Sequence, residues 1–520
     1  MTPLSNQAFV DHLTASVRFV LPEVALVGVA CLLFTLAALR CSRSLAMAVA
    51  LLGVVGAGVI AILVPEPVGQ VNPALAPIDP TGAASFIRWL ALVAAAVYVL
   101  LGWADTRTDT PAEYHACLLV AAAGVSLVGR ANDLVSLFLA LEMLSIPTYV
   151  LLYLPSRTRT GQESAMKYFL LSVLSSAVLL FGFSYLYGLA GSTNLHVIVT
   201  TLASAAPHKE LDPAVSPLAV VAMVLVIAGL GFRVAAVPFH FYAPDVYEGG
   251  PTGVVAQLAF LPKVAGFVAL ARLLGVMSAH GGGLPYDTQH TLIPLTLWVV
   301  AVVTMSFGNL LALLQDNLKR LFAYSGIAHG GYMLIGVLVA CTAPPASADQ
   351  SGSDALLFYL VAYGLMTVGA FAVLAHLSAP DQPVETVDDL AGLGKTNPLA
   401  AAALAVCLFS LIGLPLTAGF VGKLQLFLAA FQVPTDTKMK SLFQVLTVIA
   451  VVNAAVSAVY YLRIVGVLYL RAPFRPARPT RTSPQLVAAV VCAAATLVLG
   501  MYPQPFADLT RKAAPVVAAR

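Results

Sequence analysis

Long apolar runs separated by short polar connections fill most of the 520-residue chain. A helix needs about twenty mainly apolar residues to cross the hydrocarbon core of a bilayer. Runs of that length predict about fourteen spans, and the chain is therefore expected to be an all-α polytopic membrane protein. The predicted spans lie at residues 19–39, 45–64, 84–103, 112–129, 133–154, 164–190, 217–242, 251–278, 291–314, 321–341, 355–379, 398–431, 441–471 and 484–503.

Two of these spans are interrupted. The seventh contains Pro238, and the twelfth contains Gly413-Leu414-Pro415. Proline has no N–H, and hydrocarbon tolerates the freed backbone groups only where protein or water receives them. Interrupted helices at matching places in two halves point to a transport site between inverted repeats. We therefore predict two inverted five-helix repeats, spans 4–8 and spans 9–13, with two ordinary proline kinks as the alternative.

The repeats divide what we predict to be a single membrane domain, residues 1–520. Spans 1–3 occupy residues 1–111, the first repeat 112–278 and the second repeat 291–471. The last span, 484–503, follows the second repeat.

Composition agrees with a membrane protein and narrows its chemistry. Hydrophobic residues make up 60% of the chain and charged residues 10%, with a mean hydropathy of +0.91. The net charge of +3 is too small to favour nucleic acid as a partner. The six cysteines are scattered singly, without the spacing of zinc, haem or iron–sulfur sites. We expect no metal site, bound cofactor or redox centre in this chain.

Basic residues in the short loops predict the orientation, because such residues collect on the cytoplasmic side. With an even number of spans both termini share a side, and placing both outside puts most of these residues inside. Lys167, near the start of span 6, is expected to snorkel, and Asp245 and Glu248 are expected to be solvated or capping residues at an inner loop. The predicted inner basic residues are Arg40, Arg43, Arg107, Arg157, Arg159, Lys319, Arg320, Lys395, Arg471, Arg475, Arg478 and Arg481.

Ionisable side chains also fall inside five spans, where each charge costs a few kcal/mol at the bilayer centre. One such residue could be an accident, but one in each of five spans predicts a polar file across the membrane midplane. Buried lysine is also a residue type that can load and release a proton. The candidates are Glu142 in span 5, Arg233 in span 7, Lys263 in span 8, His329 in span 10 and Lys423 in span 12, with His240 just after the interruption at Pro238.

Structural roles remain the alternatives for these residues. Glu142 could serve only as the buried counter-ion of Arg233, which is compatible with function. His329 could be a hydrogen-bonded packing residue. A purely structural role is less expected for Lys263 and Lys423, because neither has an obvious carboxylate in its own span.

Five segments resemble the proton-pumping antiporter-like subunits of respiratory complex I, the bacterial NADH:quinone oxidoreductase. The resemblance runs from about residue 22 to Arg463, and ESAMKY and AYSGIAHGGY narrow it to one branch of that family. It implies fourteen helices in two inverted repeats, with helices 7 and 12 broken. The segments are GLGFRVAAVPFHFYAPDVYEGGPT, LEMLSIPTYVLL, ESAMKYFLLSVLSSAVLLFGFSYLYG, KRLFAYSGIAHGGYMLIGV and GLPLTAGFVGK.

The resemblance also implies roles. Glu142 matches the family's helix-5 glutamate, and Arg233 stands at the helix-7 lysine, together forming a gating charge pair. Lys263 matches the proton-storing helix-8 lysine, and Lys423 the helix-12 lysine near the exit. His329 matches a relay histidine, and His240 a histidine after the helix-7 break.

Arg233 departs from the family pattern, because that position is usually lysine. A guanidinium stays protonated under any realistic condition, so Arg233 cannot itself pass a proton on. We expect Arg233 to act as a fixed counter-charge and Lys263 to carry the titrating step.

The resemblance implies a proton-translocating membrane-arm subunit in a bacterial cytoplasmic (inner) membrane, with lipid and other membrane-arm subunits as partners. NADH, FMN, iron–sulfur clusters and quinone would be bound by other subunits of the complex and not by this chain. The alternatives are a subunit of a multisubunit cation/proton antiporter or membrane-bound hydrogenase, and a structural subunit that does not pump.

Overall fold

A computed structural model describes residues 17–64, 78, 82–103, 110–154, 158–204, 215–279, 293–342, 352–378, 383–433, 437–473 and 483–513. Within these ranges the chain is helical, and it contains isolated β-bridges but no extended β-strand. The helices are α1 (Leu21–Ala38), α2 (Arg43–Leu63), α3 (Gly82–Trp103), α4 (Pro111–Arg130), α5 (Leu134–Tyr153), α6 (Arg159–Ala190), α7 (Leu195–Ser204), α8 (Val215–Val234), α9 (Ala243–Gly249), α10 (Thr252–Ala279), α11 (Ile293–Leu313), α12 (Leu318–Thr342), α13 (Gly352–Leu377), α14 (Leu393–Thr396), α15 (Pro398–Ile412), α16 (Ala418–Phe431), α17 (Thr437–Leu470), α18 (Pro484–Met501) and α19 (Gln504–Ala513).

The predicted all-α fold with about fourteen spans is confirmed. Over the described ranges, 13 helices are long and apolar enough to cross a membrane, and α15 and α16 together make the remaining span. Span ends agree with the prediction to within a few residues. The largest shifts come at helix starts, as at α6, which begins at Arg159 because the Thr158 side chain accepts a hydrogen bond from the Gly161 N–H. The predicted loop residues Arg107, Arg157, Arg475, Arg478 and Arg481 lie outside the described residues.

Both predicted interruptions are present. In span 7, α8 ends at Val234 and residues 235–242 form turns before α9 begins, and Ala235 in this break has a φ of 56°. Span 12 is divided into α15 and α16, and Gly413 at the end of α15 has a φ of 91°. Glycine suits that position because it alone adopts the left-handed region without a steric cost.

The bundle has an interior layer and a periphery. The membrane-spanning parts of α10 and α13 are 94% buried, whereas that of α17 is only 28% buried. Peripheral helices such as α2, α6 and α17 expose many large apolar side chains, as expected of surfaces that face lipid or neighbouring subunits. The interior helices α10 and α12 carry Lys263 and His329, so these two residues lie at the centre of the bundle.

Candidate functional site

Glu142 and Arg233 form an ion pair between α5 and the last turn of α8. The Arg233 Nη2 atom lies 2.9 Å from Glu142 Oε1, and the Glu142 side chain is 20% exposed while that of Arg233 is nearly buried. The Ser176 hydroxyl donates to the same carboxylate oxygen at 2.5 Å and accepts from Arg233 Nη2 at 3.1 Å. Arg233 also donates to the Leu141 carbonyl at 3.2 Å and to the Ser145 hydroxyl. The buried guanidinium is thus neutralised and largely hydrogen-bonded, as a charge in a protein interior requires.

Lys263 is held by backbone carbonyls. Its ammonium donates to the Gly326 carbonyl at 2.6 Å and, over a longer distance of 3.4 Å, to the Val234 carbonyl. In a continued helix the Val234 carbonyl would accept from residue 238, but Pro238 has no N–H. The interruption therefore supplies an acceptor for the lysine. Across the described chain no carboxylate lies within ion-pair distance of Lys263.

Glycines in α12 make room for the Lys263 ammonium. A Cβ atom at Gly326 would lie 2.8 Å from the Tyr363 hydroxyl oxygen and 3.6 Å from Lys263 Nζ. Gly330, one turn later, faces the same ammonium, with a Cβ position 3.8 Å from Nζ. The close approach of α10 to α12 therefore depends on missing side chains at these positions.

Lys423 in α16 repeats the arrangement at the second interruption. Its ammonium donates to the carbonyls of Leu411 and Ile412 at 2.8 and 2.9 Å. The Leu411 carbonyl would accept from residue 415 in a continued helix, and that residue is Pro415. Lys423 is 4% exposed and, like Lys263, has no carboxylate partner among the residues that the structure describes.

His329 lies between the two lysines and is bonded on both ring nitrogens. Nδ1 is 2.6 Å from the Tyr359 hydroxyl and Nε2 is 3.1 Å from the Tyr461 hydroxyl. The Tyr461 hydroxyl also contacts the hydroxyl of Ser325, one turn before His329 in α12. The imidazole is therefore part of a buried hydroxyl network, which fits both the relay role and the alternative of a hydrogen-bonded packing residue.

Aromatic rings connect the three buried groups. The Lys263 ammonium is 5.7 Å from the centre of the Tyr363 ring, and that ring is 5.4 Å from the His329 ring. On the other side the His329 ring is 5.7 Å from the Tyr332 ring, which lies 5.2 Å from the Lys423 ammonium. The structure thus brings Lys263, His329 and Lys423 into one row with a tyrosine in each gap.

These tyrosines were not among the residues predicted from the sequence. Tyr359 and Tyr363 lie four residues apart on one face of α13, inside an otherwise apolar run. A buried tyrosine hydroxyl needs a hydrogen-bonding partner, so this spacing within a span was the available signal. An amide pair was missed too, since Asn309 Nδ2 donates to Asn453 Oδ1 at 3.1 Å between α11 and α17.

His240 is placed apart from this row. It lies half-buried in the turns between α8 and α9, and its Nδ1 atom has no hydrogen-bonding partner among the described residues. Its backbone carbonyl accepts from the Ala243 N–H at the start of α9. Within the described part of the chain, no hydrogen bond or ion pair joins His240 to the other five candidates.

Asp245, expected to be a solvated or capping residue, joins three elements. Its carboxylate lies 2.8 Å from Lys167 of α6 and 2.8 Å from Arg320 of α12, and Arg320 also contacts Glu248 at 2.7 Å. Burial would raise the pKa of the Asp245 carboxyl, but hydrogen bonds from Lys167 and Arg320 outweigh that effect and hold its pKa below the usual value. Lys167 bonds to Asp245 and Glu163, whereas we expected it to snorkel.

A second buried ion pair ties α1 to α3. Arg88 Nε lies 2.8 Å from Glu23 Oε1, and both side chains are almost fully buried. The Ser126 hydroxyl of α4 donates to the same carboxylate oxygen at 2.5 Å. Both charges lie near predicted span ends, where charged residues are common and do not indicate a buried ion pair. The pairing was therefore not predicted.

Comparisons with known proteins agree with this architecture. The family model described as NADH:quinone oxidoreductase/Mrp antiporter, TM, matches residues 131–450. NADH-quinone oxidoreductase subunit N from Trichlorobacter lovleyi is 35% identical over 518 residues, covering 97% of this chain and 98% of the relative. The subunit N of Chlorobium chlorochromatii is 38% identical over 444 residues, covering 84% of this chain and 82% of that relative.

Solved structures show the same fold. A chain of respiratory complex I from Thermus thermophilus with bound aureothin superimposes with a TM-score of 0.74 at 32% identity, covering 94% of this chain and all (100%) of that one. A chain of the Mrp complex from Dietzia sp. superimposes with a TM-score of 0.76 over 96% of this chain and 97% of that one. Because the two sequences are only 21% identical, this match shows similarity of fold alone.

The fourteen-span architecture and the family match define an antiporter-like membrane subunit of a multisubunit complex. Within that class the chain belongs to the NADH-quinone oxidoreductase subunit N family. The family expected from the sequence motifs is confirmed, and the branch indicated by ESAMKY and AYSGIAHGGY is subunit N.

Proposed function

We propose that this chain translocates protons in the membrane arm of an NADH:quinone oxidoreductase, driven by quinone reduction elsewhere in the complex. The observation that carries the proposal is the pair of buried lysines, each within hydrogen-bonding distance of a carbonyl freed by a proline. A buried lysine without a carboxylate partner is costly as a structural element, and lysine readily exchanges a proton when buried.

The rest of the assembly follows from the family. The partners would be other antiporter-like and small membrane-arm subunits together with lipid, in a bacterial cytoplasmic (inner) membrane with both termini outside. NADH, FMN, iron–sulfur clusters and quinone would be bound by other subunits. The two working units would be the repeats at residues 112–278 and 291–471, each with one interrupted span.

The Glu142–Arg233 pair would control the charge felt by Lys263. While the pair is closed, the guanidinium charge is neutralised by the carboxylate 2.9 Å away. When the pair opens, the uncompensated positive charge disfavours an ammonium at Lys263 and favours release of its proton. Val234 follows Arg233 directly and accepts from Lys263, so movement of Arg233 would also disturb the lysine's position.

Transfer between the lysines would pass through His329. Its two ring nitrogens contact the hydroxyls of Tyr359 and Tyr461, and a hydroxyl can both accept and donate. Rotation of these hydroxyls lets the imidazole exchange a proton with either neighbour while every group stays hydrogen-bonded. Transfer between His329 and each lysine would cross the gaps beside Tyr363 and Tyr332, and His240 would serve the access side of the first interruption.

Replacing Lys263 tests the proposal. Lys263→Ala, in the assembled complex reconstituted into vesicles, should lower the number of protons pumped per electron while electron transfer from NADH to quinone continues. Lys395→Ala is the control, because Lys395 is exposed on the short helix α14. An unchanged ratio in Lys263→Ala would overturn the assignment of the titrating step.

A second candidate is a structural subunit that does not pump, and Arg233 is the observation that favours it. Arginine cannot release a proton, so a copy with arginine at this position has lost one titratable group. Glu142→Gln separates the two functions. A pumping subunit should show a lower proton-to-electron ratio, because the variant removes the counter-charge, whereas a scaffold should be indifferent.

A third candidate, a cation/proton antiporter subunit, is favoured by the shared fold with the Mrp complex chain. Purification of the tagged chain with its partners, followed by mass spectrometry, distinguishes it. Dehydrogenase and iron–sulfur subunits should co-purify if the chain works in an NADH:quinone oxidoreductase.

A further inference from the structure

The interface between α10 and α13 contains polar groups that the row of lysines does not use. Contact pairs along it fall in opposite order on the two helices, so α10 and α13 run antiparallel. Gln257 on α10 and Thr367 on α13 have side-chain atoms without a hydrogen-bonding partner among the described residues. Each lies three residues beyond the contact between Phe260 and Gly364, so the two residues are level with one another. The pairs that fix this register are Phe260 against Gly364, where a Cβ would lie 2.5 Å from the ring, and Lys263 over Tyr363 (5.7 Å). In the same direction the ring of Tyr247, on the preceding helix α9, lies 6.2 Å from the ring of Phe371.

Gln257 and Thr367 are buried without hydrogen bonds. Neither Nε2 nor Oε1 of Gln257, nor Oγ1 of Thr367, has a partner among the residues that the structure describes. The two residues are only 1% and 3% exposed. Leaving a buried polar group unsatisfied costs about 1–3 kcal/mol, and native proteins pair such groups with protein or with ordered water.

The position of these groups connects them to Lys263. Thr367 lies one turn from Tyr363 on α13, and the hydroxyls of the two residues are close to each other. The Tyr363 ring is the one over which the Lys263 ammonium lies. In the other direction the interface continues to Tyr247 of α9, on the membrane side that carries the Asp245–Arg320 contact.

We propose that Gln257 and Thr367 bind ordered water between α10 and α13, forming a passage that supplies protons to Lys263 from the Asp245 side by way of Tyr363. The amide of Gln257 offers both donors and an acceptor, and the Thr367 hydroxyl offers one of each. Water held between them can therefore reverse its orientation, which proton transfer along a water chain requires. The supply of protons to Lys263 rests on the proposed function, whereas the binding of water does not.

A density map of the assembled complex at a resolution that shows water tests the binding directly. We expect water density roughly 3 Å from the Gln257 amide and from the Thr367 hydroxyl. A map that shows ordered water elsewhere in the interior and none at these two groups would overturn the proposal.

Near-isosteric variants test the passage. Gln257→Met and Thr367→Val should remove the density and lower the proton-pumping rate in assembled complex, while Thr367→Ser should keep both because it retains the hydroxyl. Thr496→Val is the matched control, since the Thr496 hydroxyl is buried but donates to the Cys492 carbonyl of its own helix at 2.8 Å.

The outcomes separate this proposal from the function on which it rests. If Gln257→Met and Thr367→Val lose the water density and pump at the control rate, the passage is wrong. If Lys263→Ala also pumps normally, the proposed function fails as well, and the density at Gln257 and Thr367 still decides independently whether water binds there.

Discussion

In both interrupted spans a proline frees a backbone carbonyl that accepts a hydrogen bond from a lysine, but the two lysines come from different helices. In each, a proline removes the N–H donor for the carbonyl four residues earlier, Val234 before Pro238 and Leu411 before Pro415. At the first break the lysine reaches in from the next helix, α10. At the second break the lysine belongs to the second half of the same span, α16.

The charge around the two breaks also differs. At the first break the arginine of an arginine–glutamate pair lies in the preceding turn, and the closest hydrogen bond of Lys263 is to the Gly326 carbonyl on a third helix, α12. The second break has no such pair among the described residues, and Lys423 rests on two carbonyls of its own span at 2.8 and 2.9 Å. The two breaks therefore differ in structure, because a charge pair lies beside the first and two close carbonyls of the same span hold the lysine at the second.

The largest expected effect concerns the charge pair that only the first break has. Arg233→Met should leave the Glu142 carboxylate without its counter-ion and destabilise the folded subunit by about 3–5 kcal/mol. Thermal unfolding of the purified complex measures this loss. Arg463→Ala is the control, because Arg463 pairs with Asp316 on the exposed surface and such pairs contribute about 0–1 kcal/mol. Equal stability of the two variants would contradict the account of the first site.

Replacing the proline at each break should slow pumping to different extents. Pro415→Ala restores an N–H that competes with Lys423 for the Leu411 carbonyl, one of the two close contacts of the lysine. If this competition costs about 1.4 kcal/mol, pumping should slow about tenfold. Pro238→Ala should have a smaller effect, because Lys263 keeps its 2.6 Å contact with Gly326. Proton uptake rates in vesicles measure both.

A proline at the start of a helix, where it interrupts no span, serves as the control for this pair. Pro398 is the first residue of α15, a position where proline is well tolerated, and Pro398→Ala should leave the pumping rate unchanged. An effect of Pro238→Ala larger than that of Pro415→Ala would reverse the comparison.

Close packing around Lys263 gives a further difference between interior and periphery. Gly326→Ala should destabilise the subunit by about 1–3 kcal/mol, because the new Cβ would lie 2.8 Å from the Tyr363 hydroxyl. Gly466→Ala, in α17, meets open space and should be neutral or slightly stabilising. Melting temperatures of the two variants provide the measurement, and a neutral Gly326→Ala would show that α12 and α13 are not closely packed at this position.

The smallest expected effect lies at the surface below the first break. The pKa of Asp245 is held below its usual value in the folded state, so its contacts add stability that is present above the unfolded value of about 3.9. That stability should disappear as pH falls through the lower folded pKa. Asp245→Asn should therefore flatten the acid dependence of thermal stability below about pH 4, and a variant with the wild-type acid dependence would rule the contribution out.

Much of the fold could be predicted because the bilayer imposes one length on every span. Fourteen apolar runs were visible in the sequence, and Pro238 and Pro415 marked both breaks. The short helices α7, α9, α14 and α19 were not predicted, since ten or fewer residues carry too little apolar periodicity to distinguish a helix from a loop.

The candidate site was predictable only as a set of residues. Charges inside apolar runs identified Glu142, Arg233, Lys263, His329 and Lys423, because lipid penalises them wherever they point. Their partners are tertiary: the Gly326 carbonyl that holds Lys263 and the Tyr461 hydroxyl that contacts His329 come from other helices. Nothing in a single sequence states which carbonyls a lysine will reach, and their roles in proton transfer remain predictions.

The most direct test of the central claim keeps the charge at the first site and removes its ability to titrate. Lys263→Arg retains a cation but cannot release a proton. We predict that the assembled variant complex, reconstituted into vesicles, transfers electrons and pumps fewer protons per electron than the wild type. A wild-type proton-to-electron ratio in Lys263→Arg would contradict the account.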